Sequence, residues 1–245
     1  MADLKWRCML LSVVIPAFDE EAYLPQTLGN LFDAKRTCTC PLEILVVDND
    51  SRDATARIAS EWGVEVIVEK VHNIALVRNR GAARARGDVL VFVDADTRVP
   101  SDFLSRVAEG MTDERCHGGA AEVIHRPASA ILRLYFRAWK ALGKLFGMAQ
   151  GAALFCRHDS FVALGGFDES LYMGEDTDFY WRLKAHARNQ GGHVQMLKGV
   201  HAIPSTRRFD QWPLWRTLVY TNPLFIGFLR KRASAWREWY EQAPR

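Results

Sequence analysis

The fold-determining stretch is Gly87-Asp88-Val89-Leu90-Val91-Phe92-Val93-Asp94-Ala95-Asp96-Thr97. Its five consecutive apolar residues, four of them β-branched or aromatic, predict a strand buried on both faces. Two carboxylates follow at once. In an extended segment Asp94 and Asp96 point the same way, and at a strand-to-loop bend they can converge on one hard cation. An Asp-x-Asp triplet is also common in solvated loops, so the neighbouring segments decide between the two interpretations.

The composition is that of an ordinary folded protein. The chain has 245 residues, 49% of them hydrophobic and 25% charged, and its formal net charge is +3. This length suits one α/β domain, and so small a net charge argues against a nucleic-acid partner. The five cysteines lack C-x-x-C spacing, which favours free thiols and a cytoplasmic location. We find no signal-peptide pattern and no run of 18 apolar residues, and therefore expect no membrane-spanning helix.

Strands and helices alternate along the first hundred residues. Strands are predicted at 10–15, 43–48, 64–68 and 88–93, and helices between them at 19–32, 53–62 and 75–85. This βαβαβαβ order is typical of a parallel sheet with right-handed crossovers and a ligand site outside the carboxyl ends of the strands. Three of those ends carry polar residues, which we expect to share one crevice. Neither G-x-G-x-x-G nor a P-loop motif occurs, so dinucleotide-binding and kinase-like sites are not supported.

Six ordered blocks carry a family resemblance. They are 12–20 (S-V-V-I-P-A-F-D-E), 46–53 (V-V-D-N-D-S-R-D), 75–81 (A-L-V-R-N-R-G), 94–96 (D-A-D), 165–169 (G-G-F-D-E) and 174–179 (G-E-D-T-D-F). Together they resemble the family 2 glycosyltransferases of the GT-A fold, although that family often has V-D-D-G-S in the second block. The resemblance implies an α/β fold with a Rossmann-like, mostly parallel central sheet flanked by helices, a small second sheet and C-terminal helices.

The resemblance also implies how one domain, 1–245, is divided. We expect a nucleotide-binding half at 1–98, an acceptor and catalytic half at 99–210, and a basic aromatic helical tail at 211–245.

The resemblance implies two ligands, a nucleotide-sugar donor, with a UDP-sugar as the first choice, and a Mn²⁺ or Mg²⁺ ion. Asp96, helped by Asp94, would hold the cation against the diphosphate, and His201 resembles a further metal ligand. The remaining donor contacts implied by the resemblance are Pro16, Ala17 and Phe18 around the base, Asp48 or Asn49 on the base, Glu20 at the ribose, Arg78 on the base or a phosphate, and Arg207 and Arg208 over the phosphates.

Each of the basic residues has a simpler interpretation. Arg78 is also explained as a solvated helix residue, His201 as a structural histidine, and Arg207 with Arg208 as an ordinary basic surface turn.

The catalytic base is expected at the start of a helix. An inverting transfer needs a carboxylate that takes the proton from the acceptor hydroxyl. The resemblance places this base at Asp176, with Glu175 as the runner-up. Favourable interaction with the helix dipole explains one carboxylate there, but it does not require three.

Two other functions fit the same fold class. A catalytically silent module that binds a nucleotide sugar or glycan would be expected to lose the metal aspartate or the base, whereas this chain keeps both. A sugar-nucleotide pyrophosphorylase would need a glycine-rich, basic first loop, and the loop here is acidic. The sequence therefore favours the enzyme.

Positive charge is concentrated in two segments. Residues 123–158 contain no Asp or Glu, and Arg133, Arg137, Lys140 and Lys144 share one face of a predicted amphipathic helix. Residues 211–237 also lack acids and combine aromatic with basic side chains. Such helices lie on anionic membranes, so we expect a peripheral enzyme at the cytoplasmic face with a glycan or lipid-linked acceptor. Packing on the sheet and a dimer interface are the alternatives.

Overall fold

The computed structural model describes residues 9–146 and 151–236, which form eight strands and ten helices. The strands are β1 (Leu11–Ala17), β2 (Leu42–Asp48), β3 (Glu65–Val68), β4 (Val89–Val93), β5 (Thr97–Arg98), β6 (Cys116–Val123), β7 (Ala153–Arg157) and β8 (His193–Pro204). The helices are α1 (Leu24–Thr37), α2 (Thr55–Glu61), α3 (Ile74–Arg84), α4 (Phe103–Met111), α5 (Ala130–Leu145), α6 (His158–Ala163), α7 (Glu175–Asn189), α8 (Arg207–Gln211), α9 (Leu214–Tyr220) and α10 (Pro223–Leu229).

The strands build one sheet in the order β3-β2-β1-β4-β7-β6-β8-β5. The first four strands are parallel, as predicted, and Ala17 at the end of β1 pairs with Asp48 at the end of β2. β7 runs antiparallel between β4 and β6, and β8 is parallel to β6. The short β5 pairs with β8, so the predicted small second sheet is continuous with the edge of the main one. This topology brings the carboxyl ends of β1, β2 and β4 to one side of the molecule.

Helix α1 begins five residues later than the periodicity predicts. Asp19 adopts a left-handed backbone conformation with φ 51°, and the chain turns through the following residues before Leu24. The backbone N–H groups of Asp19 and Glu20 donate instead to the hydroxyls of Ser51 and Thr55. The acidic segment is therefore a loop fastened to the end of β2, and it faces the crevice.

Helices cover both faces of the sheet. On one face α1 and α4 bury Leu24, Leu28, Phe103 and Leu104, and on the other face α3 and α7 bury residues such as Phe179. All five residues of β4 are buried between these layers, as its apolar run predicts.

Helix α3 lies very close to the sheet at Gly81. A Cβ at this position would lie 2.3 Å from Cγ1 of Val14 and 2.8 Å from Cγ2 of Val47. Only glycine permits this approach, which sets the depth of α3 and therefore the position of Arg78 one turn earlier.

Helix α5 places apolar side chains on its outer side. We call Ile131, Leu134, Leu142, Leu145 and Phe146 the apolar ridge; Ile131, Leu134 and Leu145 are 65%, 69% and 79% exposed. The opposite side of the helix, with Leu132 and Phe136 buried, faces the sheet. Helix α9 likewise exposes Trp215 and its neighbours, and Tyr135 of α5 is hydrogen-bonded to Thr221 just after α9 at 2.5 Å.

No helix in the described part of the chain is long and apolar enough to cross a membrane. Cys38, Cys116 and Cys156 are free thiols. The predicted cytoplasmic location and the division at 98 and 210 stay predictions. The ends of the predicted domain and tail, 1–8 and 237–245, lie outside the described residues.

Candidate active site

A cleft of about 320 Å³ opens where β1 and β4 end. It is bounded by the segments after these strands, the start of α3, the start of α7 and the start of α8. The predicted site residues that line it are Pro16, Ala17, Phe18, Glu20, Asn49, Arg78, Asp94, Asp96, Glu175, Asp176, Arg207 and Arg208. Asp48 and His201 are the two predicted residues outside this lining.

Arg78 lies at the centre of the polar network beneath the cleft. Its guanidinium donates to Asp94 at 2.8 Å and to Glu175 in a second short ion pair, and its side chain is only 4% exposed. Burial would lower the pKa of Arg78, but the neighbouring carboxylates Asp94, Glu175 and Asp176 outweigh it and raise that pKa. The interpretation of Arg78 as a solvated helix residue is therefore wrong. Arg78 fixes the position of the Asp94 carboxylate, after β4, relative to the Glu175 carboxylate at the start of α7.

A second buried arginine, Arg207, lies between Glu20 and Asp96. It forms a short ion pair with Glu20, contacts Asp96 with an N–O distance of 3.4 Å, and lies over the ring of Tyr23 at 4.3 Å. Burial raises the pKa of Asp96 to about 7; repulsion from Glu20 and Asp94 adds to this effect, and Arg207 opposes it. Arg207 is thus a counter-ion within the acidic cluster, and an ordinary basic surface turn does not describe it.

Asp48 and Asn49 have different surroundings although they are adjacent. The Asn49 amide donates to the carbonyls of Glu69 and Val71 at 2.7 and 2.9 Å, so it holds the loop after β3. Asp48 is buried, and burial raises its pKa. Its Oδ1 has no hydrogen-bond partner among the residues the structure describes.

The two candidate bases at the start of α7 are held in different ways. Asp176 lines the cleft, and its Oδ2 accepts the backbone N–H of Gly151 at 2.6 Å. Glu175 is buried against Arg78, and burial followed by repulsion from Asp176 raises its pKa while Arg78 opposes the rise. Gly174 before them has φ 75°, a left-handed turn that aims the first turn of α7 at the cleft.

His201 lies away from the aspartates. Its Nδ1 is 3.3 Å from a carboxylate oxygen of Glu122 on β6, and the side chain does not line the cleft. Its predicted role as a metal ligand gains no support from this position and stays a prediction.

Tyr23 and Phe209 belong to the site although no motif marks them. Tyr23 underlies Arg207, and Phe209 lines the cleft from α8. An aromatic residue next to a motif is too common a pattern to have identified either of them.

The donor set fits a hard divalent cation that is shared with a ligand. Asp94 and Asp96 supply carboxylate oxygens, which Mg²⁺ and Mn²⁺ prefer, in a cluster where burial already penalises the negative charge. Within the described residues no three His, Cys, Asp or Glu side chains cluster closely enough to hold a metal ion alone. A diphosphate would have to complete the coordination shell.

Solved structures with a similar fold include GT-A glycosyltransferases. The mannosyltransferase PcManGT from Pyrobaculum calidifontis, solved with GDP-Man and Mn²⁺, gives a TM-score of 0.64 at 20% identity and covers 96% of this chain and 65% of that chain. S. aureus TarS 1–349, solved with UDP-GlcNAc, gives 0.63 at 17% identity and covers 80% of this chain and 59% of that chain. At such identities the likeness shows the fold, which is the predicted GT-A fold.

The family follows from the sequence itself. The family model "Glycosyl transferase family 2" matches residues 12–138, just over half of the chain. The protein therefore belongs to glycosyl transferase family 2, which confirms the predicted family; four of the six blocks lie within the matched residues. Dolichyl-phosphate beta-glucosyltransferase from Mus musculus is 32% identical over 116 residues. That match covers 42% of this chain and 36% of the relative, so the chain spans only about a third of its length.

Proposed function

We propose that this glycosyltransferase is a metal-dependent, inverting enzyme that transfers a sugar from a UDP-sugar to an acceptor hydroxyl. The observation that carries the proposal is the cleft in which Asp94, Asp96 and Asp176 face one space above the buried Arg78 network. The two solved relatives hold nucleotide sugars, one of them together with Mn²⁺.

The donor would bind across the ends of β1 and β2. Asp48 or Asn49 at the end of β2 would contact the base; Asn49 lines the cleft, and the segment of Pro16, Ala17 and Phe18 lines the adjoining wall. Glu20 is held beside Arg207, within reach of a ribose. Arg207 and Arg208 at the start of α8 present guanidinium groups that suit a diphosphate.

Asp96 and Asp94 are the residues that would hold Mn²⁺ or Mg²⁺. When bound, the cation would neutralise the negative charge that develops on the leaving nucleotide diphosphate. Arg207, which contacts Asp96 with an N–O distance of 3.4 Å, would then be freed to contact phosphate oxygens.

Asp176 is proposed as the general base. Its carboxylate lines the cleft, and the hydrogen bond from Gly151 fixes its orientation, so it can accept the proton from the acceptor hydroxyl as that oxygen attacks the anomeric carbon. Glu175 is already bound to Arg78 and buried, and it remains the second candidate.

The alternative is a catalytically silent module on the same fold. Retention of Asp94, Asp96 and Asp176 in one cleft favours the enzyme, since a binding module does not need a positioned base. A screen of UDP-, GDP- and dTDP-sugars for hydrolysis, with Mn²⁺ and with a chelator, tests the proposal. We expect turnover of a UDP-sugar that requires Mn²⁺. Nucleotide-sugar binding without turnover of any donor would contradict the enzyme and support the catalytically silent module.

The acceptor is proposed to be a glycan or lipid-linked molecule that is held at a membrane. The mouse relative carries a lipid phosphate in its name. The apolar ridge and the exposed Trp215 give this chain an apolar outer surface beside basic residues, as expected of a peripheral protein at a cytoplasmic membrane face. Co-sedimentation with anionic and neutral liposomes tests this proposal. Absence of salt-sensitive binding to the anionic liposomes would indicate a soluble acceptor.

A further inference from the structure

Two of the sequence blocks meet at one side chain that has no part in the proposed function. Asn79 follows Arg78 on α3, in the block 75–81, and the block 165–169 forms the loop after α6. The Asn79 amide donates to the carbonyl of Phe167 at 2.9 Å, and its oxygen accepts the N–H of Phe167 at 2.9 Å. The side chain thus pairs with the Phe167 backbone as a neighbouring strand would.

Further contacts fasten the same loop to α3. The Asn79 amide also donates to the carboxylate of Glu169 at 2.9 Å, and the amide of Asn73, just before α3, donates to the Glu169 carbonyl at 2.8 Å. A Cβ at Gly166 would lie 2.7 Å from Oδ1 of Asn79, so the loop lies as close to α3 as a residue without a side chain allows. The loop is therefore fixed to the helix that carries Arg78.

Phe167 extends this constraint to the candidate active site. It is buried, and its ring centre lies 5.4 Å from the Arg78 guanidinium and 4.6 Å from the ring centre of Phe179 on α7. Phe179 lies one turn after Asp176, and Arg78 is bonded to Glu175. A shift of Phe167 would therefore displace the first turn of α7, which carries both candidate bases.

We infer that Asn79 is a positioning residue for glycosyl transfer. It lies outside the cleft lining and acts through Phe167, which it holds against Arg78 and α7, so that the Asp176 carboxylate keeps its aim. The chain that follows the loop, 172–174, lines the cleft, so the same contacts also set that wall. Misplacement of a catalytic group by about 1 Å lowers a rate on the order of 10²-fold. The inference rests on the proposed function, since it names a residue that orients the proposed base.

Two isosteric substitutions test this inference. Asn79→Asp keeps the acceptor for the Phe167 N–H but puts a carboxylate oxygen opposite the Phe167 carbonyl and the Glu169 carboxylate. Asn79→Asp/Glu169→Gln supplies an amide donor from the other side and restores one hydrogen bond. Val107→Ala, at a fully buried position on α4, is the control for loss of stability alone. Each protein is assayed for UDP binding and for hydrolysis of UDP-glucose and UDP-GlcNAc with Mn²⁺, and mass spectrometry measures deuterium uptake by residues 165–175.

We expect Asn79→Asp to bind UDP as the parent does, to hydrolyse the donor roughly 10- to 100-fold more slowly at saturation, and to take up more deuterium at 165–175. The double variant should recover most of the lost kcat, and Val107→Ala should keep the kcat of the parent at a temperature below its Tm.

A parental kcat in Asn79→Asp, or no recovery in the double variant, would overturn the inference. If Asn79→Asp does not fold, Asn79→Ser takes its place with the same expected split between binding and kcat. A parent that binds UDP but hydrolyses neither donor would contradict the proposed function instead. Deuterium uptake would then decide the positioning role, because uptake at 165–175 equal to that of the parent would overturn it.

Discussion

Replacement of Arg78 by methionine tests whether the buried ion pairs hold the site together. Arg78 is bonded to Glu175, which is 6% exposed, and to Asp94, whose side chain is 33% exposed. Removal of one partner from a buried pair costs about 3–5 kcal/mol, because the remaining charge loses its compensation. Since water partly solvates Asp94, most of the cost comes from Glu175. We therefore expect the free energy of unfolding to fall by about 3–4 kcal/mol at neutral pH.

The loss should depend on pH. Without Arg78, burial and repulsion from Asp176 are the two largest effects on the pKa of Glu175; both raise it above the value in the unfolded chain, and a backbone hydrogen bond opposes them more weakly. A group whose pKa is higher in the folded chain than in the unfolded chain stabilises the fold fully at pH values below its unfolded-state pKa. This stabilisation is lost as the pH rises through its folded-state pKa. The deficit of Arg78→Met relative to the parent should therefore grow as the pH rises above about 7, the pKa of Glu175 in the parent.

Urea unfolding at several pH values provides the measurement, and Arg84→Met provides the matched control. Arg84 lies at the end of α3 and pairs with Glu65 at 2.6 Å, and the two side chains are 66% and 37% exposed. Solvent screening limits that pair to about 1 kcal/mol or less. A loss in Arg78→Met no larger than in Arg84→Met would refute the reasoning, as would a deficit that shrinks as the pH rises.

Three further predictions concern the metal, the base and the packing of the sheet. Asp96→Ala should abolish Mn²⁺-stimulated donor turnover with little change in Tm, since the side chain lies at a strand end outside the core. Calorimetry measures the turnover, and stimulation by Mn²⁺ equal to that of the parent would contradict this prediction. Asp176→Asn should bind the donor almost normally and transfer roughly 10²- to 10⁴-fold more slowly in steady-state assays, and a larger loss in Glu175→Gln would move the base by one residue. Gly81→Ala should lower the free energy of unfolding by about 1–3 kcal/mol, because the added methyl group overpacks the contact between α3 and the sheet. Gly29→Ala should raise it by about 0.5–1 kcal/mol, because the new Cβ would make an ordinary 3.7 Å contact. If thermal denaturation gives both changes the same sign, the packing argument at Gly81 is wrong.

The first half of the fold was predictable because each strand has a continuous apolar run and each helix a regular period. β4 was predicted as 88–93 and is Val89–Val93. β6 and β7 carry no such signal. β6 reads C-H-G-G-A-A-E-V, with two glycines and one β-branched residue, and β7 reads A-L-F-C-R, with no β-branched residue. β7 takes its place by pairing with β4, and β6 by pairing with β7 and β8, and no local pattern encodes these pairings.

The site was predictable as a set of residues but not as a network. The motif blocks identified Asp94, Asp96 and Asp176, because sequence position fixes which strand or helix end carries them. The pairing of Glu20 with Arg207 joins residues 187 positions apart, and only the folded chain shows it. The period of α5 was also visible in the sequence, but which side of that helix faces the sheet was not.

The position of β7 has a consequence during synthesis of the chain. β7 covers the open edge of β4 and begins about 60 residues after β4 ends. At about 5–20 residues per second the ribosome leaves that edge bare for roughly 3–12 s. Its sequence, V-L-V-F-V, is apolar and uncharged, which is typical of segments that aggregate when an edge is exposed. A fragment that ends at Thr97 should therefore precipitate, and extension through Arg157 should restore its solubility.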